Sequence, residues 1–114
     1  MNKIIVIFSI LIQAACSGSE HERDYAGTYA YGHEVHSFKP CNEKIDFWVS
    51  FDWAGIEMHE YYKKSKKEPY QLMYVEFRGQ VLNEAVDGFA KDYDGLIRIS
   101  EVTKYSFEVP ATCK

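Results

Sequence analysis

The stretch Gln71–Leu82, QLMYVEFRGQVL, is the longest run of strand character in the sequence, and it carries one glycine, Gly79. A strand of that length reaches roughly 40 Å at about 3.3 Å per residue, whereas a compact domain of about 100 residues has a radius of gyration of about 13 Å. A straight strand would therefore project from the domain, and glycine is where strands bend. We predict that the strand bends at Gly79 and pairs with one set of neighbours before the bend and another after it, which is how small barrels close.

The first residues of the chain, Met1–Ala15, predict a secretory leader. Lys3 supplies a positive charge, Ile4–Ile12 is an apolar run, and Ala14 and Ala15 are the small residues of a cleavage site. The apolar run is too short for a membrane-spanning helix, which needs about 20 apolar residues. We therefore expect Met1–Ala15 to be removed on export.

Cys16 directly follows the leader, and Gln-Ala-Ala-Cys resembles the lipobox of bacterial lipoproteins, whose cysteine is acylated after cleavage. Gln13 departs from that pattern, which prefers leucine, so an ordinary soluble secretory leader with an unpaired cysteine is the alternative. Acylation of Cys16 predicts a lipid-anchored envelope protein, and by the same resemblance Ser17 predicts the outer membrane, with the domain facing the periplasm. The predicted organisation is a signal peptide at 1–15, a lipid anchor and tether at 16–25, and a barrel domain at 26–114.

Charge and cysteine content restrict the partners and the compartment. The formal net charge is −4, and removing Lys3 with the leader lowers it to −5, which argues against a nucleic-acid partner. Once Cys16 is set aside, Cys41 and Cys113 remain, and two cysteines in a secreted domain form a disulfide by default. Because such a bond would join positions 72 residues apart, the chain-entropy model gives it about 4 kcal/mol.

The hydrophobic pattern predicts a mainly β domain. Predicted strands cover Gly27–Val35, Lys44–Phe51, Gln71–Leu82, Leu96–Val102 and Tyr105–Val109, with a hairpin between the last two. Pro40 has no amide donor, so His36–Glu43 is expected to leave the sheet or to run along its edge. Asp52 is placed to cap a helix over Trp53–Lys64. Five strands and one helix favour a small, partly open barrel of the OB type, with a small sandwich as the alternative.

A family pattern recurs over about 85 residues, from Tyr25 to Cys113. The matching features are Gly27-x-Tyr29, Phe38-x-x-Cys41, Lys44 leading to Phe47-x-Val49, the tyrosine-bearing helix, the strand Tyr74-Val75-Glu76-Phe77-Arg78-Gly79, and Cys113 after the last strand. They resemble the C-terminal domain of NlpE-type envelope lipoproteins. The resemblance implies an OB-like barrel, a Cys41–Cys113 disulfide, and a role in envelope stress or surface sensing. The preceding C-x-x-C domain of that family has no counterpart here, so roles tied to it are not carried over.

Two histidines form the main candidate for a metal site. His33 and His36 read H-x-x-H and precede a cysteine. Residues three apart on a strand point to opposite faces, so both imidazoles converge only if Gly32 or a turn interrupts the strand. His21 or His59 would complete the ligand set, with copper or zinc as the ion. The alternative is a pair of solvated histidines beside a loop.

Catalytic signals are weak. Asp87, Asp92 and Asp94 could hold a hard cation, but their spacing does not match the known calcium loop, and a charged turn is the alternative. Glu57 and Glu60 fit a solvated helix face. The sequence has no Ser-His-Asp order, no G-x-S-x-G element and no phosphate-binding glycine loop. We expect a protein that is not an enzyme and that needs no cofactor.

Aromatic residues make up 16% of the chain, more than a core of this size requires. Tyrosine and tryptophan are favoured at partner interfaces, although rings that roof a thin barrel would give the same count. Tyr31, Trp48 and Tyr74 are the predicted binding residues. The first functional hypothesis is a binding or stress-sensing module for another envelope protein. An inhibitor or immunity protein against a cell-wall hydrolase or toxin is the alternative, and a copper- or zinc-binding protein is the third.

Overall fold

The computed structural model describes residues 22–82 and 88–113, and they form a closed five-stranded barrel with one α-helix. The strands are β1 (Arg23–Gly32), β2 (Val35–Pro40), β3 (Phe47–Phe51), β4 (Met73–Leu82) and β5 (Gly95–Ser106). The helix α1 (Ile56–Ser65) follows a 3-10 turn at Trp53–Gly55, and a second 3-10 turn spans Gly88–Asp92. Within the two described segments, no helix is long and apolar enough to cross a membrane.

The strand order around the barrel is β1-β2-β3-β5-β4, with β4 returning to β1. The pairs β1–β2, β1–β4, β2–β3 and β4–β5 are antiparallel, and β3 runs parallel to β5. The predicted OB-like barrel with one helix is therefore confirmed, and the sandwich alternative is excluded. The pairing between β2 and β3 is short: Ser37 lies opposite Trp48, and Phe38 lies opposite Phe47.

The barrel interior is filled by alternate residues of the strands and by one face of α1. On β4, Met73, Val75 and Phe77 point inward and are almost fully buried, because successive side chains of a strand face opposite sides. Met58 and Tyr62 of α1 close the core from outside the sheet. The buried cluster consists of Tyr29, Phe38, Phe47, Val49, Met58, Tyr62, Met73, Val75, Phe77, Ile97 and Ile99.

The β4–β5 ladder is irregular at the predicted position, and the unpaired residue there is Ser100 of β5. The β4–β5 register shifts between Arg78 and Gly79, and a Cβ atom at Gly79 would overlap the carbonyl oxygen of Arg98. The position of the irregularity matches the prediction. The predicted exchange of neighbouring strands at Gly79 holds for β1, which stops pairing there, but not for β5. β1 pairs with β4 as far as Gly79, whereas β5 pairs with β4 both before and after it.

Two strand predictions are wrong. β2 is a barrel strand paired with β1 along its length, because Pro40 is its last residue and its missing amide breaks no interior bond. The predicted hairpin near Thr103 is absent from β5, which runs unbroken from Gly95 to Ser106. Thr103 is instead the extra residue of a bulge, since Val102 pairs with Phe77 and Lys104 with Glu76. The Thr103 hydroxyl donates a hydrogen bond to the Glu76 carbonyl oxygen at 3.0 Å.

The helix and the first strand also begin at positions other than those predicted. Asp52 makes no side-chain capping bond, because the 3-10 turn separates it from the start of α1, and Gly55 is the residue before the helix. β1 begins at Arg23, inside the segment assigned to the tether, and Tyr25 stacks on Phe77 with ring centroids 5.5 Å apart. The predicted leader at 1–15 and the predicted acylation site Cys16 lie outside the described residues.

The disulfide between Cys41 and Cys113 is present, with Cα atoms 4.4 Å apart. It joins the residue after β2 to the segment after β5. The Cys41 amide also donates a hydrogen bond to the Ala26 carbonyl oxygen at 2.9 Å. This hydrogen bond holds the disulfide against β1. The predicted pairing is confirmed, and it closes a covalent loop with a sequence separation of 72.

Replacing both cysteines by serine, Cys41→Ser with Cys113→Ser, should lower the free energy of unfolding by about 4 kcal/mol, because the unfolded chain regains its loop entropy. Urea unfolding followed by tryptophan fluorescence measures this difference. Reductant should destabilise the native chain by a similar amount and leave the double variant unchanged. A loss below about 1 kcal/mol would contradict the entropic role.

Gly79→Ala should lower the free energy of unfolding by about 1–3 kcal/mol, because the added methyl group meets backbone that cannot move aside. Gly95→Ala is the matched control, since a Cβ atom there meets side-chain atoms and no backbone, with the Phe47 ring at 3.3 Å and Val81 Cγ1 at 3.9 Å. Urea unfolding of the two variants should place Gly79→Ala clearly below Gly95→Ala. Equal losses of unfolding free energy in the two variants would show that the irregular part of the β4–β5 ladder tolerates a side chain at position 79.

Candidate functional site

A hydrogen-bonded group of three polar side chains lies at the junction of β1, β2 and α1. Tyr29 is 0% exposed, and its hydroxyl lies 2.8 Å from His36 Nε2 and 2.8 Å from His59 Nδ1. A phenol has one proton, so it donates to one imidazole and accepts from the N–H of the other. Because His36 presents Nε2 and His59 presents Nδ1, the two histidines take the same tautomer, with the proton on Nδ1 in both or on Nε2 in both, and this polar group is satisfied within the barrel.

Burial keeps the three side chains uncharged at neutral pH. It lowers the pKa of His36 to about 4, and the neighbouring His59 adds to this effect. Burial is also the main cause that lowers the pKa of His59, followed by the charge of Lys63, while Glu60 opposes the shift. Burial raises the pKa of Tyr29, as do the neighbouring Tyr62 and Tyr31.

Aromatic rings surround the two imidazoles. The Tyr31 ring lies 4.3 Å from the His59 ring and 5.4 Å from the His36 ring, between ring centroids. Trp48 lies 5.8 Å from His36, and Phe51 lies 5.4 Å from His36 and 5.5 Å from His59. We call this group the aromatic site; its members are Tyr29, Tyr31, His36, Trp48, Phe51 and His59.

The structure brings together two of the three predicted binding residues. Tyr31 on β1 and Trp48 on β3 both contact His36, because Tyr31 is directly opposite His36 in the β1–β2 register. Tyr74 lies on β4 opposite Thr28, and the Lys104 ammonium lies 5.8 Å from the centroid of its ring. Tyr74 is not a member of the aromatic site.

The predicted metal residues have different surroundings. His33 and Glu34 form the two-residue turn between β1 and β2, and the mostly exposed His33 side chain lies 3.1 Å from the Glu34 carboxylate. His36 faces inward and lies beside His59. From the sequence, His59 is expected only as one of two residues that could complete a set of metal ligands. Within residues 22–82 and 88–113, no three side chains among histidine, cysteine, aspartate and glutamate gather as metal ligands would.

Among the acidic residues proposed for a hard cation, Asp94 has another role. The Asp94 carboxylate accepts a hydrogen bond from the Asp46 amide at 2.8 Å, and the Asp94 amide donates to the Asp46 carbonyl oxygen at 2.9 Å. This reciprocal pair fixes the approach to β3 beside β5. Asp87 lies outside the described residues.

An exposed apolar surface adjoins the aromatic site and was not expected from the sequence. Trp53 is 88% exposed and Ile56 is 42% exposed. Together with Phe51 and Asp52 they line an open hollow of about 470 Å³. We call these four residues the Trp53 surface. Gly55 lets the 3-10 turn lie directly on the Phe51 ring, because a Cβ atom at Gly55 would overlap that ring.

Protonation of His36 in the unfolded chain should lower the free energy of unfolding by about 2 kcal/mol between pH 7 and pH 5, because each unit of pKa difference contributes about 1.4 kcal/mol, and His59, whose pKa burial also lowers, adds to this loss. The native His36 has a pKa of about 4, below its ordinary value of 6.5. In the unfolded chain His36 therefore binds a proton below about pH 6.5, whereas in the native barrel it does so only below about pH 4. Urea unfolding at the two pH values measures the loss.

Two variants test this assignment. His36→Gln should lose about 2 kcal/mol of the pH dependence between pH 7 and pH 5 and keep the part that comes from His59, although it starts from a lower stability. His33→Gln should keep it, because His33 is exposed in a turn. The same pH dependence in both variants would show that His36 is not its source.

A scan of protein-family models, a search of curated proteins and a search of solved structures each found no match to this chain. The relationship to NlpE-type lipoproteins therefore stays a prediction from the sequence pattern.

Proposed function

We propose that this protein is a lipid-anchored, non-enzymatic binding module of the bacterial envelope, similar to the C-terminal domain of NlpE-type lipoproteins. It binds another envelope protein through the Trp53 surface and faces the periplasm from the outer membrane. The observation that carries this proposal is an indole that is 88% exposed on the outside of a rigid barrel.

Two features support an envelope location, and the charge supports the class of partner. The Cys41–Cys113 disulfide is of the kind that forms and persists in oxidising compartments outside the cytoplasm. The apolar run Ile4–Ile12 and the following Cys16 have the pattern of a lipoprotein leader. The net negative charge of the chain, −4, favours a protein partner over nucleic acid.

The composition and exposure of the Trp53 surface support a protein partner. Tryptophan is among the residues most enriched at the energetic centres of interfaces, because it buries a large area with few rotatable bonds. Ile56 lies beside Trp53 in the same hollow and supplies a second apolar contact. The Asp52 carboxylate at the rim would favour a partner with a basic residue next to its apolar pocket.

The packing behind the Trp53 surface supports a preorganised binding site. Phe51 forms part of the hollow and also contacts the rings of His36 and His59. These rings are held by Tyr29, so the floor of the hollow is continuous with the barrel core. A rigid floor lowers the entropy lost on binding. We assign no catalytic role to the histidines, because Tyr29 and the two imidazoles already satisfy one another's hydrogen bonds.

Photo-crosslinking in intact cells tests the proposal. A photoreactive residue at position 56 should form a discrete adduct with one envelope protein, identified by mass spectrometry. Trp53→Ala should reduce that adduct at least about tenfold, as expected for a residue at the energetic centre of an interface. Its free energy of unfolding should change by less than about 0.5 kcal/mol, because the side chain is exposed.

Leu72→Ala is the matched control, because Leu72 is an exposed apolar residue that lines a different groove, beside the disulfide. It should leave the adduct unchanged. Equal adduct yields in the native chain and in Trp53→Ala would contradict a role for the Trp53 surface. A crosslinked cell-wall hydrolase or toxin would favour the inhibitor hypothesis over the sensing module.

A further inference from the structure

The ladder between β2 and β3 is shorter than either of its strands. It ends where Ser37 lies opposite Trp48. On their other sides the two strands pair further, because β2 pairs with β1 as far as Val35 and β3 pairs with β5 as far as Phe51. Among the described strands, the stretch Val49–Phe51 therefore has a paired neighbour on one side only. We call its side away from β5 the β3 edge.

Side chains connect β2 and β3 beyond the end of their ladder. A continued register would place His36 opposite Val49 and Val35 opposite Ser50, but the pairing of the described residues stops before them. The His36 ring instead reaches across and lies 5.4 Å from the Phe51 ring, between centroids. Ser50 and Phe51 are only half-buried. The β3 edge therefore lies at the surface of the barrel.

The β3 edge presents backbone hydrogen-bonding groups to a partner. Successive residues of a strand direct their N–H and C=O groups to alternate sides, so one or two of the residues in Val49–Phe51 present both groups away from β5. Such an edge offers about two to four backbone hydrogen bonds to an added strand. Unpaired strand edges are templates for the pairing of another chain.

The β3 edge is continuous with the Trp53 surface. Phe51 is the last residue of β3 and also lines the hollow of about 470 Å³ together with Asp52, Trp53 and Ile56. Because an extended chain advances about 3.3 Å per residue, a segment paired along the edge reaches this hollow within one or two residues. Backbone groups and an apolar hollow thus lie along one line.

We propose that the partner binds by strand addition, with an extended segment of another envelope protein paired along the β3 edge and one of its apolar side chains in the Trp53 hollow. This inference rests on the proposed function, because it describes how the Trp53 surface holds its partner. In this mode of recognition, main-chain hydrogen bonds give affinity and the pocket gives specificity. A helix would leave the backbone groups of the edge unpaired, since its own are already bonded within it.

The charge of the chain favours a different protein over a second copy as the source of the added strand. Each copy has a formal net charge of −4, so pairing of two β3 edges brings like charges together. Asp52 follows the edge directly and would face its own counterpart's negative surface. A segment with a basic residue next to its apolar side chain fits the same place better.

Selection from a library of random linear peptides tests the inference. The target is the chain from residue 16 onward with Cys16→Ser, which contains every described residue. Hydrogen exchange of single amides, followed by nuclear magnetic resonance, reports on the edge. In the free chain, the amides of Val49–Phe51 that point away from β5 should exchange fast. A bound peptide should slow them at least about tenfold.

Methylation of single backbone nitrogens in a selected peptide distinguishes backbone pairing from side-chain recognition. An added strand directs alternate amides to the edge. N-methyl groups at alternate positions should therefore weaken binding at least about tenfold, which is the loss of about one hydrogen bond, and those at the intervening positions should have little effect. Trp53→Ala should weaken binding at least about tenfold, whereas the matched control Leu72→Ala should bind like the parent chain.

Each contrary result identifies what fails. Peptides that depend on Trp53 but neither slow exchange at the β3 edge nor show alternation would overturn strand addition and leave the proposed function standing. Failure to enrich any peptide would also overturn strand addition, while the photo-crosslinked adduct reports separately on the Trp53 surface. A dimeric chain whose edge amides are protected before peptide is added would overturn it in favour of pairing between two copies.

Discussion

The close approach of Gly79 to the carbonyl oxygen of Arg98 is the contact on which closure of the barrel depends. β4 must pair with β5 along its whole length and also accept β1 over its first part. A strand that ran straight past Gly79 could not do both in so small a barrel, because closure requires strands to tilt and twist. The absence of a side chain at this position allows the extra local twist of a bulge. The inward residues on either side can then meet in one core.

The parts of the fold that depend on pattern and length were predictable, and those that depend on a neighbour's backbone were not. The long glycine-bearing strand and the helix follow from periodicity and from simple dimensions, whereas the predicted count of five strands agrees only because the missed strand β2 and the division of β5 into two strands cancel. Pro40 does not take its segment out of the barrel, because a proline at the last position of a strand leaves every interior hydrogen bond intact. The sequence predicts a turn around Thr103, but its hydroxyl donates a hydrogen bond to the Glu76 carbonyl oxygen on the adjacent strand, which no local pattern reveals.

The candidate site, like the fold, was only partly predictable from the sequence. Tyr31 and Trp48 were predictable as polar-tipped rings on strands, and both contact His36. The partnership of His36 with His59 was not predictable, because the two residues belong to a strand and a helix whose packing depends on the whole fold. The sequence predicts Trp53 as the first residue of the helix. Its exposure follows from the 3-10 turn, which places it before the helix and points it away from the core.

The covalent loop closed by Cys41 and Cys113 contains β3, α1, β4 and β5, and it leaves β1 and β2 outside. Mechanical force applied through the chain upstream of Arg23 is therefore borne first by the hydrogen bonds that hold β1 between β2 and β4. Stretching could peel away this hairpin while the remaining strands stay tied in a ring. The hairpin carries Tyr29 and His36, so such tension would take apart the buried polar group before it reached the rest of the molecule.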